Sequence, residues 1–395
     1  MRKGWEYKKL GEVGTFLRGK NILKSDFVEK GLPCIHYGQI HTKFGISTDT
    51  HLTETSQEVY NKAIIASKND VLIAITSEDL EGSCKATAWL GDYDVAVSAH
   101  AAVFKHNLNP KYIVYYLKSQ SFYIEKSKYA RGFKVMEIKP TDIAKIPIPI
   151  PPKSTQLAIV SELDKINELI RLKKEQLKDF DNLAQSLFYE MFGDPVENEK
   201  GWEVHLLKAL CTKIGSGATP KGGSESYKEE GTSLIRSLNI HNNEFKFKDL
   251  AYIDDDQADS LNNVIVQGND VLLNITGASV ARCCIVPTEV LPARVNQHVC
   301  ILRHGNLIDA KYLNRLLTND NYQQLLQRLA KSKAATREAL PKSIVDKLSI
   351  PLPPLSLQRL FAQRIEQIER EKSEVQKSIQ DLETLLASRM QYWFE

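Results

Sequence analysis

The chain has 395 residues, 42% hydrophobic and 26% charged, which supplies apolar material for two or three buried cores and excludes a disordered polymer. A formal net charge of +3 neither requires nor excludes nucleic acid, because a binding face depends on clustered charge rather than on the sum. No apolar run is long enough to cross a bilayer, and residues 1–10 mix Lys, Arg, Trp and Glu, so a cytoplasmic chain without membrane association is expected.

In chain order, the first element opens on Gly4-Trp5-Glu6, and the same tripeptide returns at Gly201-Trp202-Glu203. The stretch Gly14 to Asn21 nearly spells a phosphate-binding loop. Asn21, however, replaces the hydroxyl that would hold magnesium, and Phe16 and Leu17 crowd the loop, so nucleotide binding is not expected. The second half has Gly215-Ser216-Gly217-Ala218-Thr219-Pro220-Lys221 here. What the halves share is a glycine-containing turn with a base, suited to approaching a phosphodiester, and Arg18, Lys20, Ser216 and Lys221 become candidate contacts.

Next come Ile35-His36-Tyr37-Gly38-Gln39-Ile40 and its counterpart from Ile235 to Ile240, expected as polar strand edges presenting His36, Tyr37 and Gln39 in one half and Arg236 and Asn239 in the other. Arg grips guanine and Asn or Gln grips adenine, each through two hydrogen bonds, so these are candidate base readers. His36 and His41 have no third ligand nearby, so no metal site is expected; the cysteines, Cys34, Cys84, Cys211, Cys283, Cys284 and Cys300, read as reduced core residues.

Asn69-Asp70-Val71-Leu72 recurs from Asn269, His100 recurs as His298, and Tyr112, which precedes a helical stretch, recurs as Tyr312. Strands are predicted over 70–75, 94–105, 270–275 and 294–303. Basic loops follow, with Lys128, Arg131 and Lys134 in the first half and Lys331, Lys333 and Arg337 in the second, and they suit phosphate contact.

Each half then closes on a proline-rich junction, one ending at Gln156 and the other at Gln358, that can continue neither a helix nor a central strand. Beyond it the pattern turns helical. Ile159, Leu163, Ile166, Ile170, Leu177, Phe180 and Leu187 form one apolar seam, and Phe361, Ile365, Ile368, Val375, Ile379, Leu382 and Leu386 form another in the same register. Matches that stay collinear at an offset of about 200 residues mean duplication. The expected architecture is α+β, with two similar domains at 1–152 and 194–354, and long helices at 153–193 and 355–395 that pair antiparallel as a coiled coil about a pseudo-two-fold axis.

The opening Gly-Trp, the Asn-Asp-Val-Leu motif, the proline junction with its Gln, the long helix and its Met191-Phe192-Gly193-Asp194-Pro195 exit together resemble the specificity subunit of type I restriction-modification systems, over essentially the whole chain. The resemblance implies two target recognition domains, each reading half of a bipartite double-stranded DNA site. It also implies helices that set the spacing and dock two methyltransferase subunits, with restriction subunits as further partners. It implies a non-catalytic chain without cofactors of its own, S-adenosylmethionine, ATP and magnesium belonging to partner subunits. The chain has no Asn-Pro-Pro-Tyr-type methylation motif and no complete nucleotide loop. The rival readings are a fused restriction-modification enzyme, for which the repeats leave no room, and a two-headed protein-binding scaffold.

Overall fold

The recurrence of Asn-Asp-Val-Leu has a local cause that the computed structural model displays; it describes residues 4–132, 134–220, 222–331 and 338–395. Asn69 and Asn269 turn the chain with φ of 73° and 66°, a left-handed conformation that Asn tolerates better than branched residues. Asp70 and Asp270 then accept hydrogen bonds from the backbone N–H of Ser67 and Gln267. Both carboxylates are buried, and each is paired with a base on the adjacent strand, Lys105 at 2.6 Å and Arg303 at 2.8 Å. Val and Leu follow as the first strand residues.

In the first copy the strands β1 (Gly14–Arg18), β2 (Leu32–Ile35), β3 (Val71–Ala74), β4 (Ala86–Trp89), β5 (Val95–Val97) and β6 (Ala101–His106) distribute over two sheets. One runs β1-β6-β3-β4 and ends on Ser47–Thr48; the other carries β2 and β5 between Thr53–Thr55 and Ile64–Ala66. Val71 and Ile73 face the helices, while Leu72 and Ala74 face the second sheet. A strand covered on both faces reads as the unbroken apolar run seen in the sequence. The second copy repeats this with β7 (Cys211–Ser216), β8 (Thr232–Ile235), β9 (Ala251–Ile253), β10 (Val271–Asn274), β11 (Cys283–Ile285), β12 (Ala293–Val295) and β13 (Val299–His304). Their order is β7-β13-β10-β11 and β9-β8-β12. The expected single strands over 94–105 and 294–303 are therefore each two strands in different sheets. His100, at φ 67°, lies in the first break, and residues 296–298 form the second.

The proline junction is an edge ribbon. Glu6–Lys9 pairs antiparallel with Pro147–Ile150, and Val204–Leu206 with Ser349–Pro351, which joins the Gly-Trp opening of each copy to its close. The helices α1 (Tyr37–Thr42), α2 (Pro110–Leu117), α3 (Gln120–Ser127) and α4 (Lys153–Phe192) belong to the first half, and α5 (Ala310–Leu317), α6 (Asp320–Lys331) and α7 (Leu355–Phe394) to the second. Tyr112 and Tyr312 each donate their hydroxyl to a junction carbonyl, that of Pro149 or Pro351, at 2.7 Å. The buried Gln156 amide accepts from the N–H of Asn109 and donates to the carbonyl of Pro151; Gln358 does the same with Asp309 and Pro353. Each matched residue thus serves one joint, where a domain hands over to its long helix.

The chain divides into two compact units, Met1–Lys174 with Lys377–Glu395, and Glu175–Gln376, so each long helix is shared between them rather than forming a unit of its own. In the first unit Glu162 of α4 meets Arg389 and Trp393 of α7, and Lys174 meets Glu383. In the second, Phe188 and Phe192 of α4 pack on Phe361 of α7, and Asp181 pairs with Lys372. Partner numbers fall on α7 as they rise on α4, so the helix segments run antiparallel within each unit. Ile159, Leu163, Ile166 and Ile170 are buried, as are Phe361, Ile365, Ile368, Val375 and Ile379. Leu177, Phe180, Leu187, Leu382 and Leu386 are half-buried. Near its end α4 buries Ala184, Phe188 and Phe192 instead, because its apolar face there covers the core of the second domain. Ile159 and Leu163 likewise join the first domain's core together with Phe394. Among the described residues no helix is long and apolar enough to cross a membrane.

Candidate nucleic-acid interface

In each unit the ends of three strands and the break in a fourth converge. In the first unit β1 ends on Arg18, β2 runs into His36 and Tyr37, β3 runs into Thr76, and the break over 98–100 presents His100. The N–H of Tyr37 donates to Ser98 Oγ at 3.0 Å, and the N–H of Ile75 to the carbonyl of His100 at 2.9 Å. The Tyr37 ring lies 5.2 Å from that of His100, 4.5 Å from His36 and 6.1 Å from His41. His41 Nε2 lies 2.9 Å from the carbonyl of Thr76. Arg18 reaches Glu137, whose short strand Met136–Glu137 pairs with Thr76–Ser77. The site thus joins Arg18, His36, Tyr37 and the basic segment after Lys128, which are far apart in sequence.

The second unit repeats the geometry with other side chains. Ser216 ends β7, Arg236 follows β8, Thr276 follows β10, and Gln297 and His298 occupy the break before β13. Gln297 Nε2 lies 3.2 Å from His298 Nε2, which must therefore accept, leaving Nδ1 protonated and donating to Thr276 Oγ1 at 2.5 Å. Thr219 bonds the Gln297 carbonyl oxygen. Ser216 and Gln297 are exposed.

Several sequence expectations change here. Residues 36–39 and 236–239 are not strand edges but the first turn of α1 and a 3₁₀ turn (Ser237–Asn239). Asn239 is fully buried, accepts from the N–H of Arg236, and donates to the carbonyls of Lys246 and Lys248. Gln39 accepts from the N–H of His36 and donates to Thr53. Their amides are consumed in shaping the turn, so Asn239 cannot read a base and Gln39 positions its neighbours. Arg236 lies over the Tyr227 ring, 5.2 Å from its centroid, and donates to the carbonyl of Asp249. Burial, reinforced by Lys24 and His100, lowers the pKa of His36, so this ring is neutral at neutral pH.

The glycines that suggested a backbone cradle serve packing. A Cβ on Gly19 would stand 2.1 Å from the carbonyl of Ser98, and one on Gly217 1.6 Å from that of Val295, so the bare backbone is what lets β1 and β7 pass the neighbouring strand ends. Gly14–Arg18 is a strand, not a phosphate loop. The basic segments also pair with acids. Lys128 pairs with Glu125 at 2.6 Å, Arg131 with Asp142 at 3.9 Å and Lys331 with Glu338 at 3.7 Å. Such exposed pairs hold their bases weakly. Lys20 and Lys134 are exposed, with no side-chain partner among the described residues. Lys221, Lys333 and Arg337 lie outside the described residues. Of the thiols, burial pushes Cys84, Cys211, Cys284 and Cys300 up to about 12. The residues that sequence reasoning passed over are His100, Thr76, Thr276, Gln297 and His298. The duplication had marked the histidines only as an alignment match.

The domain described as the type I restriction modification DNA specificity domain matches residues 2–179 and again 199–384. The StySPI specificity subunit of Salmonella potsdam is 22% identical over 98% of this chain and 87% of its own length. The EcoKI specificity subunit of Escherichia coli K12 is 20% identical over 95% and 84%. Among solved structures, a chain from a study of complex assembly and conformational transition of the type I R-M system superposes with a TM-score of 0.64 at 20% identity, covering 99% of this chain and 97% of its own. The type I restriction-modification S subunit of M. genitalium reaches 0.58 at 14% identity, covering 99% and 96%. With the domain matched twice along nearly its full length, this chain belongs to the type I restriction-modification DNA specificity family.

Proposed function

We propose that this non-catalytic specificity subunit reads a bipartite site on double-stranded DNA, one half with each domain. The carrying observation is that the two units bring different polar side chains to the same strand ends. Around a histidine common to both, His100 or His298, these are Arg18, His36 and Tyr37 in the first, and Ser216, Arg236 and Gln297 in the second. A shared frame with unlike tips suits two unlike half-sites. Gln297 is exposed and, beyond its bonds to Thr219 and His298, keeps a second amide hydrogen and a second lone pair to offer adenine. The exposed Arg18, whose pairing with Glu137 a duplex would displace, has the fork that fits guanine, while Lys20, Lys128, Arg131, Lys134, Lys221, Lys331, Lys333 and Arg337 serve the phosphates.

The long helices, each 40 residues and so about 60 Å at ~1.5 Å per residue, set the spacing between half-sites and offer docking surface to two methyltransferase subunits. Restriction subunits join the same assembly. S-adenosylmethionine, ATP and magnesium belong to those partners, which extrude and methylate the target base.

The test is duplex binding by the complex with methyltransferase subunits, after its half-sites have been mapped from genomic methylation. Gln297→Ala and Arg236→Ala are expected to cost about 1–3 kcal/mol at single base positions of one half-site. Lys331→Ala should weaken all sequences alike and reduce the salt slope by about 1. Equal losses on cognate and random duplexes for Gln297→Ala and Arg236→Ala would remove their base-reading role. Salt-independent or absent DNA binding would favour the protein-binding scaffold.

A further inference from the structure

Away from the strand ends, a cavity of about 440 Å³ opens in the first unit between the end of α2, the start of α3 and the chain entering β4, with Lys85, Lys118, Gln120 and Lys126 in its wall. Three ammonium groups line it with one carboxylate, that of Glu81, and the charge of Asp79 also reaches Lys126. Lys126 is 4% exposed, and its Nζ is held by the carbonyls of Glu81 at 3.2 Å and Ser83 at 2.5 Å, partners that fix its position without cancelling its charge. Lys85 and Lys118 are exposed at the rim, and among the described residues neither side chain has a hydrogen-bond or ion-pair partner. Converging unpaired cations repel one another, a cost that an anion removes.

Two further features fit an anion. Gln120 is the first residue of α3, so the positive end of that helix lies in the cavity wall, with the Phe122 N–H already taken by the Ser119 hydroxyl. The cavity is also particular to one copy. At the matching positions the second unit has Thr318 and Leu326 in place of Lys118 and Lys126, and Thr318 is spent on a hydrogen bond to Asn243, whereas Lys85 is matched by another base, Arg282, which like it gives its carbonyl to the N–H at the end of the neighbouring strand. Shared architecture therefore does not explain Lys118 and Lys126.

We propose that this cavity is a binding site for a phosphate group, supplied by the backbone of the duplex held by the first domain. Its wall connects to the candidate interface, since the loop from Ser77 to Lys85 starts at the strand that pairs with Met136–Glu137. The assignment of a DNA phosphate rests on the DNA reading above; the phosphate chemistry of the cavity does not.

Lysine acylation of the full chain, read residue by residue by mass spectrometry, tests both. Random duplex and inorganic phosphate are each expected to protect Lys85 and Lys118. The double variant Lys85→Gln/Lys118→Gln, which leaves the buried Lys126 in place, is expected to bind cognate and random duplexes about tenfold more weakly, with a salt slope smaller by about 1 to 2. Protection by inorganic phosphate without protection by duplex supports the phosphate site and assigns it to a free anion. Protection by neither, while duplex still shields Lys20, overturns the proposal and leaves DNA reading intact. Loss of shielding at Lys20 together with salt-independent binding is instead the failure of DNA reading, and the inorganic phosphate arm then decides the cavity alone.

Discussion

His106 closes β6 with its ring 5.0 Å from that of Phe104, and burial pulls its pKa down to about 4 against the opposing charge of Asp70. The unfolded chain takes up this proton near pH 6.5, before the folded one does. The stability it permits is therefore complete above that pH and falls as pH drops toward 4, by up to about 3 kcal/mol. Urea unfolding of wild type and His106→Gln at pH 7 and again near the lower limit should show the smaller acid loss in the variant; equal losses would remove His106 as a cause. At this same scale the sequence was least transparent. Gln39 and Asn239 have the side chains of base readers, yet the N–H groups of His36 and Arg236 three residues earlier claim them. A short-range hydrogen bond won because the chain turns immediately after the strand, and spacing alone does not distinguish a turn from a strand edge.

At the scale of elements, α7 is amphipathic by its own sequence, but which part of its stripe faces which core depends on partners distant in sequence. Phe361 packs against Phe188 and Phe192 and is fully buried, whereas the adjacent Leu360 is 42% exposed. Phe361→Ala is expected to cost about 3–5 kcal/mol and Leu360→Ala less than about 0.5, measured by denaturant midpoints. Comparable losses at the two positions would contradict the orientation of the helix. The junction glutamines were legible as a repeat and not as a role. Their burial becomes intelligible only when each amide is seen to tie the carbonyls of the proline run to the cap of an earlier helix, α2 or α5, at Asn109 and Asp309.

For the molecule as a whole, the first unit is completed by the last residues of the chain. Phe394 packs 5.5 Å from Tyr112 and 6.0 Å from Tyr116, and Arg389 and Trp393 bind Glu162. A chain truncated after Gln376 is expected to show faster amide exchange in α2, within the first half, with α5 unchanged; loss of protection confined to α5 would refute that division of the chain. The sequence by itself determined the duplication, the α+β class, the apolar faces of the long helices and the proline junctions that precede them. Those follow from periodicity, from prolines that cannot donate and from side chains that bond within a few residues, all of which are local. Only the tertiary structure decided the composition of the candidate interface and of the lysine cavity. Arg18, Tyr37, Thr76 and His100 meet because separate strands end at one edge, and Lys85, Lys118 and Lys126 because α2 and α3 fold back over the chain before β4. Convergence of that kind is set by packing between residues far apart in the chain, and leaves no period or spacing from which to read it.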